Sequence, residues 1–228
     1  MVSENQVIQV RIKFKKYGSL MYISHLDLAK TMQRIMVRAG IDIWYSEGFN
    51  PQPKIVFAVP LPVGVESECE YMDIKLNSFM SLDDIKKRLN DSFPDEMEVL
   101  EVYEPEQKLK NVVYIDHEIE IFSPQINQNT ALELEKLFSN DIFVSKKTKS
   151  GEKEINIKEF IYSFIAREEN GKIVINTILC AGSDKNLNPE LIIEAIRKNT
   201  TIFSGDLLNE RYSIVRKEML KCDMTPFK

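Results

Sequence analysis

Residues 45–71 read YSEGFNPQPKIVFAVPLPVGVESECEY. Four prolines, Pro51, Pro53, Pro60 and Pro62, fall within twelve residues, and Gly48 and Gly64 flank them. A solvated linker would be polar here, yet the stretch carries Phe49, Ile55, Phe57, Val59, Leu61 and Val63. Proline fixes φ, lacks an N–H and pushes the residue before it toward extended conformations. FNPQP is therefore read as a rigid loop packed against the first helix, not as a central strand. Gly48 and Gly64 supply turns that need positive φ. PKIVFAVP then reads as a strand with Ile55, Phe57 and Val59 on one face, and CEYMDIKL as another with Met72, Ile74 and Leu76 inward.

Upstream, VIQVRIKFKKYG alternates. Val10, Ile12 and Phe14 point one way, and Gln9, Arg11, Lys13 and Lys15 the other, which predicts a strand with one outward basic face. SHLDLAKTMQRIMVRAG predicts a helix: Ser24 is the N-cap with Asp27 at N3, Leu28, Met32, Ile35, Met36 and Ala39 recur at helical spacing, and Gly40 is the stop. IDIWY at 41–45 reads as a short extra strand. Downstream, SLDDIKKRLNDSF is a helix capped by Ser81, with Leu82, Ile85 and Leu89 on one side, and MEVLEVYE is a strand. The order β-α-β-β-β-α-β is the split βαβ, ferredoxin-like pattern with one strand added.

The remaining residues repeat the scheme. VVYIDHEIEIF is a strand that holds His117 on a face toward solvent or a partner strand. NTALELEKLFSN is a helix capped near Asn129 or Thr130. DIFVSKKTKSGEKEINI runs into a lysine-rich hairpin around Ser150-Gly151, bearing Lys146, Lys147, Lys149 and Lys153. KEFIYSFIARE continues as strand or short helix, GKIVINTILC is a strand, NPELIIEAIRKN a helix with Pro189 at N1, and RYSIVRKEML the last strand. The expected fold is α+β: two ferredoxin-like halves, residues 1–104 with the proline-rich loop and residues 105–228 with the hairpin, built on antiparallel sheets with helices on one face.

With 228 residues, 43% hydrophobic and 29% charged, the chain can bury a core and stay soluble. Its longest apolar runs are short and broken by proline, so no membrane span is expected, and the N-terminus lacks the basic and apolar regions of a secretion signal. Cys69, Cys180 and Cys222 are odd in number and far apart, which fits a reducing cytoplasm and argues against a disulfide framework or a zinc knuckle. The net charge of −5 argues against indiscriminate nucleic-acid binding. The charge is uneven, however: residues 1–57 hold eight Lys/Arg against four Asp/Glu, and residues 58–104 hold four against twelve. A basic first quarter predicts a local anion-binding surface. No Walker A, GxGxxG or GxSxG motif occurs, and the two histidines have no metal-ligand spacing, so no cofactor and no metal are expected.

The block from Tyr22 to Ile74 resembles the radical-SAM-linked uncharacterised proteins, a domain of unknown function encoded beside, or fused behind, a cobalamin-type radical SAM protein. The pieces that carry the resemblance are Ser24-His25-Leu26-Asp27, Arg34, Arg38-Ala39-Gly40, Tyr45-Ser46-x-Gly48-Phe49-Asn50-Pro51-x-Pro53-Lys54 and Leu61-Pro62-x-Gly64-Val65-Glu66-Ser67. The resemblance implies a cytoplasmic bacterial protein with a radical SAM partner, and it supplies no activity. The chain has no CxxxCxxC, so it is not itself the radical SAM enzyme.

Lys30, Arg34 and Arg38 are spaced by four on one helical face. Such a stripe is either solvated surface or a phosphate track, and the lysine hairpin allows the same two readings. His25 at the helix start is either a surface residue or an acid–base group near neutral pH. The candidate ligand or RNA-binding set is Ser24, His25, Arg34, Arg38, Tyr45, Ser46, Phe49, Asn50 and Lys54, gathered where the helix start meets the proline loop. The leading expectation is a non-catalytic accessory module for a radical SAM partner, for its RNA substrate (transfer or ribosomal RNA), or for both. The alternative is a metal-independent endoribonuclease of the tandem ferredoxin-like type, with His25 as its catalytic residue and Lys54 or Arg34 on the phosphate.

Overall fold

The alternation over Ile8–Lys16 becomes β1, and the capped apolar stripe becomes α1, His25–Arg38. The computed structural model describes residues 8–148, 151–206 and 208–228. The Ser24 Oγ accepts from the Asp27 N–H at 3.2 Å and donates to the Asp27 carboxylate at 2.7 Å, closing the first turn of α1. Ser24→Ala should cost about 1 kcal/mol of unfolding free energy in urea titrations. Leu28, Met32, Ile35 and Met36 are the buried stripe of the helix. After the proline stretch come β2 (Ile55–Phe57), β3 (Val65–Leu76), α2 (Leu82–Ser92, capped by Ser81) and β4 (Met97–Tyr103).

The chain divides into two compact units, residues 1–111 with Lys228, and residues 112–227. The segment Pro105–Asn111, assigned from sequence to the second domain, therefore lies in the first unit. In that unit β1 pairs antiparallel with both β3 and β4, and β2 pairs with β3, giving the order β4-β1-β3-β2. One sheet face carries Val10, Ile12, Phe14, Met72, Ile74 and Leu76, which form a single core with the stripes of α1 and α2. The expected strand over 41–45 is reduced to two isolated bridges, Ile43↔Leu76 and Tyr45↔Pro53. Pro51 and Pro53 cannot donate to a ladder, so pairing there stops after single bridges.

The second unit contains β5 (Tyr114–Phe122), α3 (Thr130–Ser139), β6 (Phe143–Thr148), β7 (Gly151–Asn156), β8 (Ile161–Glu169), β9 (Lys172–Cys180), α4 (Glu190–Asn199) and β10 (Arg211–Leu220). Its antiparallel sheet has the order β10-β5-β9-β8, and β6 and β7 form a separate hairpin. KEFIYSFIARE divides into a 3-10 turn, Ile157–Phe160, and β8. Pro189 stands at the N-cap of α4, one residue earlier than expected. Lys149 and Ser150 of the lysine-rich hairpin, and the side chains of Lys146 and Lys147, lie outside the described residues. The class is mixed α+β with antiparallel strand pairing and four α-helices among the described residues. No helix among them is long and apolar enough to cross a membrane.

Candidate functional site

In β1 and β3 the side chains facing away from the helices are Gln9, Arg11 and Lys13, and Tyr71, Asp73 and Lys75. The expected open basic face is not what forms. Arg11 is fully buried: its Nε donates to Asp73 Oδ1 at 2.7 Å and its Nη2 to Asp73 Oδ2 at 3.0 Å. The same Nη2 donates to the Gln107 carbonyl at 2.7 Å, so the segment after β4 closes over the guanidinium. Lys15 pairs with Glu98 at 2.6 Å, and the Lys13 ammonium lies 5.4 Å from the centre of the Tyr71 ring. Gln9 Nε2 donates to Asp73 Oδ2 at 2.9 Å, so all four polar groups read as an outward stripe are held by neighbours; a two-residue period shows which face a side chain takes but not what covers it.

Beside the Arg11–Asp73 pair lies a groove of about 200 Å³, lined by Gln9, Lys54, Val56, Asp73, Ile74, Lys75, Lys108 and Leu109. Its apolar side chains are those of Val56 and Leu109, since the side chain of Ile74 is buried in the core on the other face of the sheet. Its cations are Lys54, Lys75 and Lys108, none in an ion pair among the described residues. Asp73 is the only carboxylate of the lining, and Arg11 offsets its charge. The Lys75 ammonium lies 5.7 Å from the centre of the ring of Trp44, the single tryptophan of the chain.

The proline stretch places Lys54. Tyr45 is bridged to Pro53, the Ser46 N–H donates to the Gln52 carbonyl at 2.9 Å, and the Gln52 N–H donates to the Ser46 Oγ at 3.0 Å. The Lys54 N–H then donates to the Trp44 carbonyl at 3.0 Å. These bonds make 44–54 a small hairpin, with Gly48 at φ +122° and Phe49 fully exposed in its bend. The apolar side chains of the stretch do not all pack locally: Val59, Leu61 and Val65 are buried, while Phe49 and Val63 are exposed.

Of the residues expected to share one site, Lys54 alone lines the groove. His25 packs edge-on against Phe57 with ring centres 5.2 Å apart, and Phe57 packs on the helix-side core. Ser24 is occupied by the cap of α1. Arg34 is exposed on α1, and Arg38 donates to the Ser92 carbonyl at the end of α2, a structural tie between the helices. Tyr45 and Ser46 brace the hairpin, and Phe49 and Asn50 are exposed in its bend. Sequence reasoning missed Gln9, Val56, Asp73, Lys75, Lys108 and Leu109. Alternation placed Gln9, Asp73 and Lys75 off the core, but their meeting depends on the β1–β3 register, Gln9↔Lys75 and Arg11↔Asp73. Nothing local announced Lys108 and Leu109.

His117 is buried in β5, 2% exposed, where solvent or a partner strand was expected. Burial and the Arg216 charge on the paired strand β10 push its pKa down to about 3, partly offset by the Ile115 backbone. Among the described residues no group of three or more His, Cys, Asp or Glu side chains could hold a metal ion.

The geometry defines an α+β protein with a lysine-lined groove beside a buried ion pair. Residues 9–189 match the model of a family described as "Uncharacterized protein conserved in bacteria (DUF2344)", and the chain belongs to that family. No curated protein matches it. One chain of the crystal structure of a Cbf5-Nop10-Gar1 complex is similar at 8% identity, with a TM-score of 0.48 over 92% of this chain and 48% of that one. The present chain thus spans about half the length of that solved chain.

Proposed function

We propose that this protein is a non-catalytic RNA-binding accessory module whose contact surface is the Lys54–Lys75–Lys108 groove. The observation that carries the reading is the groove itself: three cations without carboxylate partners among the described residues, beside the apolar side chains of Val56 and Leu109, in a chain of net charge −5. Single-stranded nucleic acid is bound by cationic grooves that track the phosphates beside side chains that pack on the base faces; here Val56 and Leu109 would supply that packing. The resemblance of the Tyr22–Ile74 block adds a radical SAM protein as the partner that acts on the bound RNA. The strand orders β4-β1-β3-β2 and β10-β5-β9-β8 support reading the units as two ferredoxin-like halves. The free thiols Cys69, Cys180 and Cys222 fit a cytoplasmic setting.

Cross-linking and pull-down from bacterial cells, with both protein and RNA identified, tests the partners directly. In vitro, Lys54→Glu should weaken RNA binding and lower the slope of log affinity against log salt by about one. Unchanged affinity and slope would remove Lys54 from the interface. Cleavage of total RNA in EDTA that His25→Ala abolishes would replace this reading with the endoribonuclease.

A further inference from the structure

We infer that the groove takes one unpaired nucleotide, with its base on Val56 and Leu109, a base N–H on the Gln9 carboxamide oxygen and its phosphate on Lys54, Lys75 and Lys108. This rests on the RNA reading above and specifies what that surface selects.

The Gln9 amide has one orientation. Its Nε2 donates to Asp73 Oδ2 at 2.9 Å, and an ionised carboxylate held by Arg11 only accepts, so the amide oxygen cannot take that position. Oε1 is left as an acceptor in a groove whose other mobile polar groups, the three lysines, only donate. An acceptor there selects a donor: a phosphate or a sugar ring oxygen provides none, a ribose 2′-hydroxyl provides an O–H, and a nucleobase edge provides an N–H together with a flat face for the apolar lining.

The apolar lining points the same way. Val56 is 44% exposed and, with Leu109, lines the groove alongside the lysines. A phosphate backbone alone gains nothing from such a lining, whereas a base face does. The volume of about 200 Å³ is below the roughly 300–1,000 Å³ of sites that enclose drug-sized ligands. It holds one base with the phosphate at the rim, and it does not admit a stacked pair. In a duplex the Watson–Crick N–H donors are already paired and the base faces are stacked. The Gln9 contact and the apolar lining therefore favour single strands, while the lysines attract phosphate in either form.

The test uses the full chain, a labelled eight-nucleotide RNA of mixed sequence, and the same strand annealed to its complement. Fluorescence anisotropy reads affinity at several salt concentrations, and quenching of Trp44 beneath Lys75 reports occupancy of the groove. The single strand should bind more tightly. Gln9→Leu should weaken single-strand binding about two- to tenfold, the worth of one neutral hydrogen bond, and leave duplex affinity and both salt slopes unchanged. Val56→Trp should fill the base site with the same outcome and without touching the Gln9–Asp73 bond. Lys75→Gln should weaken both RNAs and lower both slopes. Thermal melting of each variant confirms that it is folded. If Gln9→Leu and Val56→Trp keep the wild-type preference for single strands while Lys75→Gln weakens both RNAs, the base pocket is wrong and phosphate binding stands. If Lys75→Gln and Lys54→Glu both leave affinity and slopes unchanged, or the wild type binds neither RNA, the RNA reading itself falls.

Discussion

Replacing Asp73 with leucine should lower the unfolding free energy by about 3–5 kcal/mol, because it strands the guanidinium of Arg11 in the interior. Arg11 is fully buried and Asp73 is 7% exposed. The guanidinium donates twice to Asp73 and once to the Gln107 carbonyl. With the carboxylate gone, a full positive charge would be left in the interior without its counter-ion. Arg11→Met should be nearly as costly, since it leaves the Asp73 carboxylate with Gln9 as its remaining donor in this group. The pair itself need not stabilise the fold on balance, because desolvating two charges offsets most of their attraction. The double variant Arg11→Met/Asp73→Leu should therefore recover most of the loss. Urea denaturation of the four proteins reads this as a double-mutant cycle; two single losses that simply add would contradict it. Tyr103 reports the same interior. Burial pushes its hydroxyl up to about 12, against the lowering effect of the nearby Arg11 charge. Removing Arg11 should therefore raise the pH at which Tyr103 ionises.

Between pH 7.5 and pH 5 the protein should lose about 2 kcal/mol of stability through His117 alone. The unfolded histidine titrates near 6.5 and the folded one near 3. The folded state thus binds fewer protons throughout that interval, and its stability falls as the pH drops. The loss accrues at about 1.4 kcal/mol per pH unit below the unfolded value and levels off near pH 3. Burial raises the neighbouring Asp116 carboxyl, which binds protons more readily when folded and offsets part of the loss as the pH enters the carboxylate range. His117→Gln cannot take up the proton, so its stability should be flat where the wild type declines. Parallel decline of the two proteins from pH 7.5 to 5 would show that other groups carry the dependence.

The periodic elements were readable because their causes are local. Ser24 with Asp27, followed by Leu28, Met32, Ile35 and Met36, specifies a cap and a stripe within one helix, and both are present. Ser81 and the Ile85–Leu89 pair do the same for α2. The prolines were read as keeping FNPQP out of a central strand, and only an isolated bridge at Pro53 forms there, while Gly48 and Gly64 do adopt positive φ. The expected strand at 41–45 failed because strand propensity in Ile41, Ile43 and Trp44 says nothing about a partner, and Pro51 and Pro53 remove the donors that partner needed.

The candidate site was less legible. A helix start, a cationic stripe and a stiff loop were adjacent in sequence, but the fold uses most of them as ties. Ser24 caps, Arg38 joins α1 to α2, Ser46 braces the hairpin and His25 packs on Phe57. Lys54 reaches the groove because the hairpin returns it to Trp44. From there the two-residue period of β2 sends Ile55 and Phe57 to the helix-side core and Val56 to the groove.

By itself the sequence determined the helix caps, the buried stripes and the exclusion of the proline stretch from a central strand, since each depends on residues within about four positions of one another. The tertiary structure alone decided which charges are buried and which stay free. The register Arg11↔Asp73 joins positions 62 residues apart, and the segment around Gln107 covers the pair. A charge is stabilised or left available by what lies across the fold from it. No local pattern in the chain records that neighbour.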